Sequence, residues 1–137
     1  MAVTVQGPAD DPNVILQARI ASLATLIAAN VAGSVSQQAQ IVAKAAAETE
    51  LCLNLLNGGG KGGARLDPAA VLSTTGVAIK DTVLASKITN VATLANSTGT
   101  SVAAQNELHS LRVQAVTNAL ADGSLSGAKI LSSCTAL

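Results

Sequence analysis

Five glycines surround a lysine in Gly58-Gly59-Gly60-Lys61-Gly62-Gly63. Backbone N–H groups in such a turn can cradle phosphate, but that chemistry needs Ser or Thr directly after the lysine and a strand leading into the turn. Here Gly62 follows the lysine and a helical pattern precedes the turn, so a nucleotide site is not expected. His109 is the single histidine. Glu107 and Ser110 lie near it, but neither is three or four residues away on the same helical face, so no acid–base pair forms. Glu48 and Glu50 are two apart and point to different sides of a helix. Cys52 and Cys134 lack metal-ligand spacing. Cys52 reads as a small core residue and Cys134 as a free thiol, which fits a reduced, cytoplasmic setting. No catalytic, cofactor-binding or metal-binding residue is expected, and the chain does not read as an enzyme. The titratable side chains suit a different role. If Glu48, Asp81 or Glu107 were desolvated in an assembly contact its pKa would rise, and assembly would respond to pH. His109 offers a second switch in the same range. Lys44 and Glu48, spaced i, i+4, are a candidate ion pair of opposite sign of response.

The elements that carry these residues read as helices. Residues 1–10 have no helical period and form an arm. Asp11-Pro12 is a helix start, with Asp as side-chain acceptor and Pro where its missing N–H costs nothing. Leu16, Ile20, Leu23 and Ile27 alternate by four and three and share one face. Continued, that seam passes through Asn30, Ser34, Gln37, Ile41, Lys44, Glu48, Leu51 and Leu55, apolar at both ends and polar in the middle. A neighbouring stripe, Ala24, Ala28, Val31, Val35, Val42, Ala46 and Leu53, stays apolar throughout. Unbroken, a helix from 12 to 56 would be about 65 Å long at the usual rise per residue. Gly33 is its weak point, at about 1 kcal/mol against Ala. Asn57-Gly58 stops it, and the glycine segment that follows reads as a flexible linker. Asp67-Pro68 starts a short helix ended by Thr74-Thr75-Gly76. A second long helix is expected from about Val77, with seam residues Leu84, Ile88 and Val91, then Leu108 and Leu111, a weak point at Gly99, and a close at Asp122-Gly123. One helical turn is expected at Ala128–Leu131.

The two long segments resemble each other. Asn13–Leu26 and Asp81–Leu94 share Leu16/Leu84, Ile20/Ile88 and Ala24-Thr25-Leu26/Ala92-Thr93-Leu94. Ser34-Val35-Ser36-Gln37-Gln38 answers Ser101-Val102-Ala103-Ala104-Gln105 one residue out of step. Repeated units bury their apolar faces by stacking.

Composition points the same way. The 137 residues include no Phe, Tyr or Trp, only 12% are charged and the net charge is zero. Mean hydropathy is +0.45. A core of Ala, Val and Leu is thin, since a buried Ala methyl contributes about 0.8 kcal/mol and a Leu about 1.5–3. Neutrality favours association. Without a basic stripe or aromatic platforms, nucleic acid is not an expected partner. The uncharged stretch 20–35 is short for a membrane span, and no charged region precedes an apolar run at Met1, so a secretory signal is not expected.

Asp81-Thr82-Val83, Thr89-Asn90, Ser101-Val102-Ala103-Ala104-Gln105-Asn106, Gln114-Ala115-Val116-Thr117 and Gly127-Ala128-Lys129-Ile130-Leu131 resemble the refractile-body (R-body, "killing trait") structural proteins. In the first half, Gln37-Gln38-Ala39-Gln40 and the Ala-rich stretch after it are similar. The chain departs from that family by lacking aromatics and by its linker and duplication. The resemblance implies ribbon assembly in the bacterial cytoplasm, paralogous subunits as further partners, and pH-triggered extension that ruptures membranes.

The expectation is therefore one all-α domain. Repeat unit 13–57, linker 58–67, repeat unit 81–123 and tail 124–137 form an antiparallel hairpin of two long helices that assembles into a filament or ribbon. Its core and assembly residues are Leu16, Ile20, Leu23, Leu26, Ile27, Leu84, Ile88, Val91, Leu94, Leu108 and Leu111. The alternatives are a virion or phage coat subunit and a membrane-active protein inserting residues 14–35.

Overall fold

The computed structural model describes residues 11–97 and 102–137. The expected arm at 1–10 and the expected break at Gly99 lie outside the described residues. Among the described residues the fold is all-α, with helices α1 (Pro12–Ala29), α2 (Val35–Leu56), α3 (Pro68–Thr75), α4 (Thr82–Ser97), α5 (Val102–Asp122) and α6 (Gly127–Leu131) and no strand. They divide into two compact units. One comprises the described part of Met1–Leu66 together with Gly127–Leu137, the other Asp67–Ser126.

In the first unit, Asp11 caps α1 by accepting from the Asn13 backbone N–H at 2.9 Å, with Pro12 in the first turn. The expected continuous helix to residue 56 does not form: α1 ends at Ala29 and α2 begins at Val35. The cause is the polar middle of the seam. Asn30 Nδ2 donates to Leu26 O (3.0 Å) and to Gln40 Oε1 (2.6 Å). Gly33 takes the left-handed conformation, φ 79°, which favours glycine. Ser34 Oγ caps α2 by accepting from the Gln37 N–H at 3.2 Å. Gln37 in turn accepts from the Gly33 N–H (2.7 Å) and donates to Ile27 O (3.1 Å). This variant of the capping box satisfies the loose backbone groups of both helix ends. The seam therefore folds back on itself, and its two apolar ends meet. Leu16, Ala47, Leu51, Leu55 and Ala136 form the core, with Ile20, Leu66 and Leu131 packed against it. Helix α6 packs on α2, so the expected tail is a wall of this unit.

The second unit repeats the theme with a helix α4 that starts later than the expected Val77. Val77-Ala78-Ile79 is neither helix nor strand. Asp81 Oδ1 accepts from the N–H groups of Val83 and Leu84, both at 3.1 Å, and sets the start of α4 at Thr82. Val91, Ala95 and Leu108 form the core between α4 and α5, with Ile88, Ala92 and Leu111 around them. Helix α3 packs on α5. It starts at Asp67-Pro68 and ends at Gly76 in the left-handed conformation, and α5 stops before Gly123, as the sequence predicts.

Candidate assembly surface

The expected core and assembly residues separate into two populations. Leu16 (3% exposed) and Leu84 (4%) are buried, as are Val91 and Leu108. Ile20, Leu23, Ile27, Ile88 and Leu111 are half-buried on the inner face of their helix pairs. Leu26 (47% exposed) and Leu94 (64%) face outward within the chain, and so do Ile15 and Val83. Periodicity places Leu26 and Leu94 on the flanks of their seams; they join the expected core through the identity of the repeat, which does not distinguish an inward residue from an outward one.

The outward residues occur in matched pairs. Ile15 and Val83, and Leu26 and Leu94, have the spacing that separates Leu16 from Leu84. Several hydrogen bonds recur at that spacing. Thr25 Oγ donates to Ala21 O (3.2 Å) and Thr93 Oγ to Thr89 O (3.0 Å). Thr49 Oγ donates to Ala45 O (3.0 Å) and Thr117 Oγ to Val113 O (2.8 Å). At the corners, Gln37 Nε2 donates to Ile27 O and Gln105 Nε2 to Ala95 O, at 3.1 and 3.3 Å. Gln105 is thus matched by Gln37, not by Gln38 as the sequence comparison aligned it.

The glycine segment is built into the first unit, which corrects its reading as a flexible linker. Asn13, in the first turn of α1, is buried. Its Nδ2 donates to Gly59 O and its Oδ1 accepts from Asn54 Nδ2 (3.1 Å). Lys61–Gly63 forms a short 3-10 turn. The N–H of Gly60 donates to Ala64 O (2.9 Å), that of Lys61 to Ala136 O (2.8 Å) and that of Gly59 to Asn54 O (2.9 Å). A Cβ on Gly59 would approach Asn54 O to 2.9 Å, and one on Gly60 would strike Ala64 O and Ala136 O. These amides bond the protein's own carbonyls, so the segment presents no phosphate cradle of the kind its composition suggests. A cavity of about 470 Å³ beside it is lined by Asn13, Gln17, Leu55, Gly60, Lys61 and Ala136.

Of the four candidate pH-sensitive residues, Glu48 is buried, His109 is half-buried, and Asp81 and Glu107 are exposed. Glu48 pairs with Lys44 at 3.2 Å, the i, i+4 contact the sequence suggests. Asp81 is a helix cap. Two groups outside that set carry shifted pKa values. Burial pushes the Cys52 thiol up to about 12, with smaller contributions from neighbouring Cys134 and Glu48. Cys52 Sγ donates to Gly127 O at 3.7 Å. Asp122 lies below the usual carboxylate range, chiefly through hydrogen bonding to Ser124, with Lys80 3.7 Å away. Neither shift was legible in the sequence, because each depends on the site where a turn brings partners together. Among the described residues, no three His, Cys, Asp or Glu side chains gather as a metal site. No known family model, curated protein or solved structure matches the chain.

Proposed function

We propose that this chain is a structural subunit whose function is to self-assemble, through outward apolar helix faces, into a filament or coiled ribbon. The observation that carries the reading is the matched exposure of Ile15 with Val83 and Leu26 with Leu94. Apolar residues of this size, left outside at corresponding places on two helix pairs of a chain with zero net charge, suit burial against further subunits. Tandem duplication of an αα-hairpin is supported by the recurring Thr and Gln bonds and by the paired burial of Leu16 and Leu84. The subunits are copies of this chain, with paralogues as further partners, in a bacterial cytoplasm as the R-body resemblance implies. In the pH-responsive form of this reading, Asp81, Glu107 and His109 lie in assembly contacts, while Glu48 is already buried within the chain against Lys44 and Gly127.

Negative-stain microscopy and sedimentation of the purified full chain test the proposal. Ordered ribbons or filaments are expected, and a monodisperse monomer at concentrations on the order of micromolar, where specific assembly forms, sinks it. Imaging at about pH 7 and pH 5, a range in which His and desolvated carboxylates titrate, tests the trigger separately.

A second reading has one observation in its favour. Among the described residues α1 is the one helix long and apolar enough to cross a membrane, and it is mostly exposed. Leakage of a dye from liposomes by unassembled protein supports a membrane-active role, and intact liposomes exclude it.

A further inference from the structure

We propose that the outward stripe of α2, formed by Val35, Ala39, Val42 and Ala46, is the seam on which a second copy of this chain docks, α2 against α2. This rests on the self-assembly reading and adds which helix face meets which.

The stripe runs at steps of four, three and four, and continues at the same period through half-buried Thr49 and Leu53. At about 3.6 residues per turn it lies on the side of α2 opposite the inward seam of Leu51 and Leu55. Val35 is 87% exposed and Val42 is 68% exposed. The chain supplies its own control for what a watered face looks like. At the corresponding positions of α5 stand Ala103, Glu107, Ser110 and Gln114, all exposed. The corresponding helix of the same chain is polar at three of those four positions. The apolar character of α2 marks a face that is covered.

What covers it follows from charge and spacing. The stripe carries no ionised group, and beside it Ser36, Gln38, Ala43 and Ala45 carry none, while exposed Glu50, one turn past Ala46, marks its C-terminal end. Along residues 35–46 a charged partner surface would lose hydration without gaining a counter-charge. The surface that fits is equally uncharged, with small residues at the same alternating spacing, and α2 itself presents one. Such a seam is self-complementary about a two-fold axis, and its alanines let two helices approach closely. A lipid surface fits less well. The stripe has no Trp or Tyr to anchor at an interface and no flanking Lys or Arg for anionic headgroups. Thr49 satisfies its hydroxyl proton within the helix, donating to Ala45 O at 3.0 Å.

The test uses the full-length protein with three variants, Val42→Lys, Ser110→Lys and Val42→Cys. Val42→Lys places an unpaired charge mid-seam, so its association constant in sedimentation equilibrium should fall about tenfold or more. Its helical circular dichroism should be unchanged, because the position is exposed. Ser110→Lys, on the watered face, should associate like the parent chain. Val42→Cys treated with a short bismaleimide should give a dimer whose cross-link maps by mass spectrometry to position 42 in both chains. If Val42→Lys assembles like the parent and no such link forms, this seam is wrong while self-assembly stands. A monomeric parent chain removes both. If Val42→Lys keeps its mass distribution but stops sedimenting with phosphatidylcholine–phosphatidylglycerol vesicles that the parent binds, the stripe is a lipid face and the proposal is overturned.

Discussion

Cys52 shows how a single residue type acquires its character from burial. Its thiol is inaccessible and donates to Gly127 O, and burial raises its pKa from 9.0 to about 12. Folding therefore favours the protonated thiol. The sign follows directly: this contribution is fully present below pH 9.0 and is lost as pH rises toward about 12. Alkylation with iodoacetamide at about pH 8, below the ordinary thiol value, should label half-buried Cys134 and spare Cys52, with both labelled in denaturant. Peptide mapping reads the result, and native labelling of Cys52 would show that the α6 wall opens. Gly127 is a companion case. A Cβ there would sit 2.9 Å from Glu48 Cβ and backbone, so Gly127→Ala should destabilise by about 1–3 kcal/mol through overpacking, measured by urea unfolding. A core role for Cys52 could be read from the sequence, since an apolar helical run surrounds it. The role of Gly127 could not, because its neighbour Glu48 is remote along the chain.

Among elements, the corner at residues 30–34 decides the architecture of the first unit. The sequence displays its parts: a polar gap in an apolar seam, a glycine, and Ser34 three residues before Gln37. Read along a straight helix, the gap is a weak stretch of interface. Read as a corner, the same residues cap two helices, and the seam needs no second molecule to meet its match. Gln37→Ala removes bonds to Ile27 O and the Gly33 N–H. It should lower stability by about 1–3 kcal/mol, at roughly 0.5–1.5 per bond, as read by thermal melting. The glycine segment behaves as an element too. Deleting Gly59 to Gly63 removes the Asn13 and Ala136 attachments. Helical circular dichroism should persist, because Leu16, Leu51 and Leu55 still pack, while the melting temperature drops by several degrees. An unchanged melting temperature would return the segment to the status of a passive linker. Its glycine content predicted a loop and could not predict the bonds, which depend on where residue 136 arrives.

At the scale of the whole molecule, the division between buried and outward leucines makes two kinds of substitution behave differently. Leu16→Ala or Leu84→Ala should each cost about 2–5 kcal/mol of folding stability, as core truncations do. Leu26→Ser and Leu94→Ser, at exposed positions, should change folding by no more than about 0.5 kcal/mol yet weaken assembly, which sedimentation velocity measures. Equal effects in both assays for both pairs would contradict the separation of inner core from outer surface. The all-α class, most helix boundaries and the buried repeat leucines were legible from spacing and caps alone. The split into two units was not, because it depends on a corner and on residues far along the chain packing against α2.

The placement of Gly127–Leu137 in the first unit also has a consequence in time. A chain leaves the ribosome from its N-terminus, and N-terminal domains ordinarily fold before the rest is made. Here the wall that covers Leu51 and Leu55 includes Ala136, so the earliest helices emerge with their partner not yet translated. The second unit, whose residues are contiguous, is free to fold first, and the first unit closes last. A nascent chain thus carries an unfinished α1–α2 pair until residue 136 has emerged.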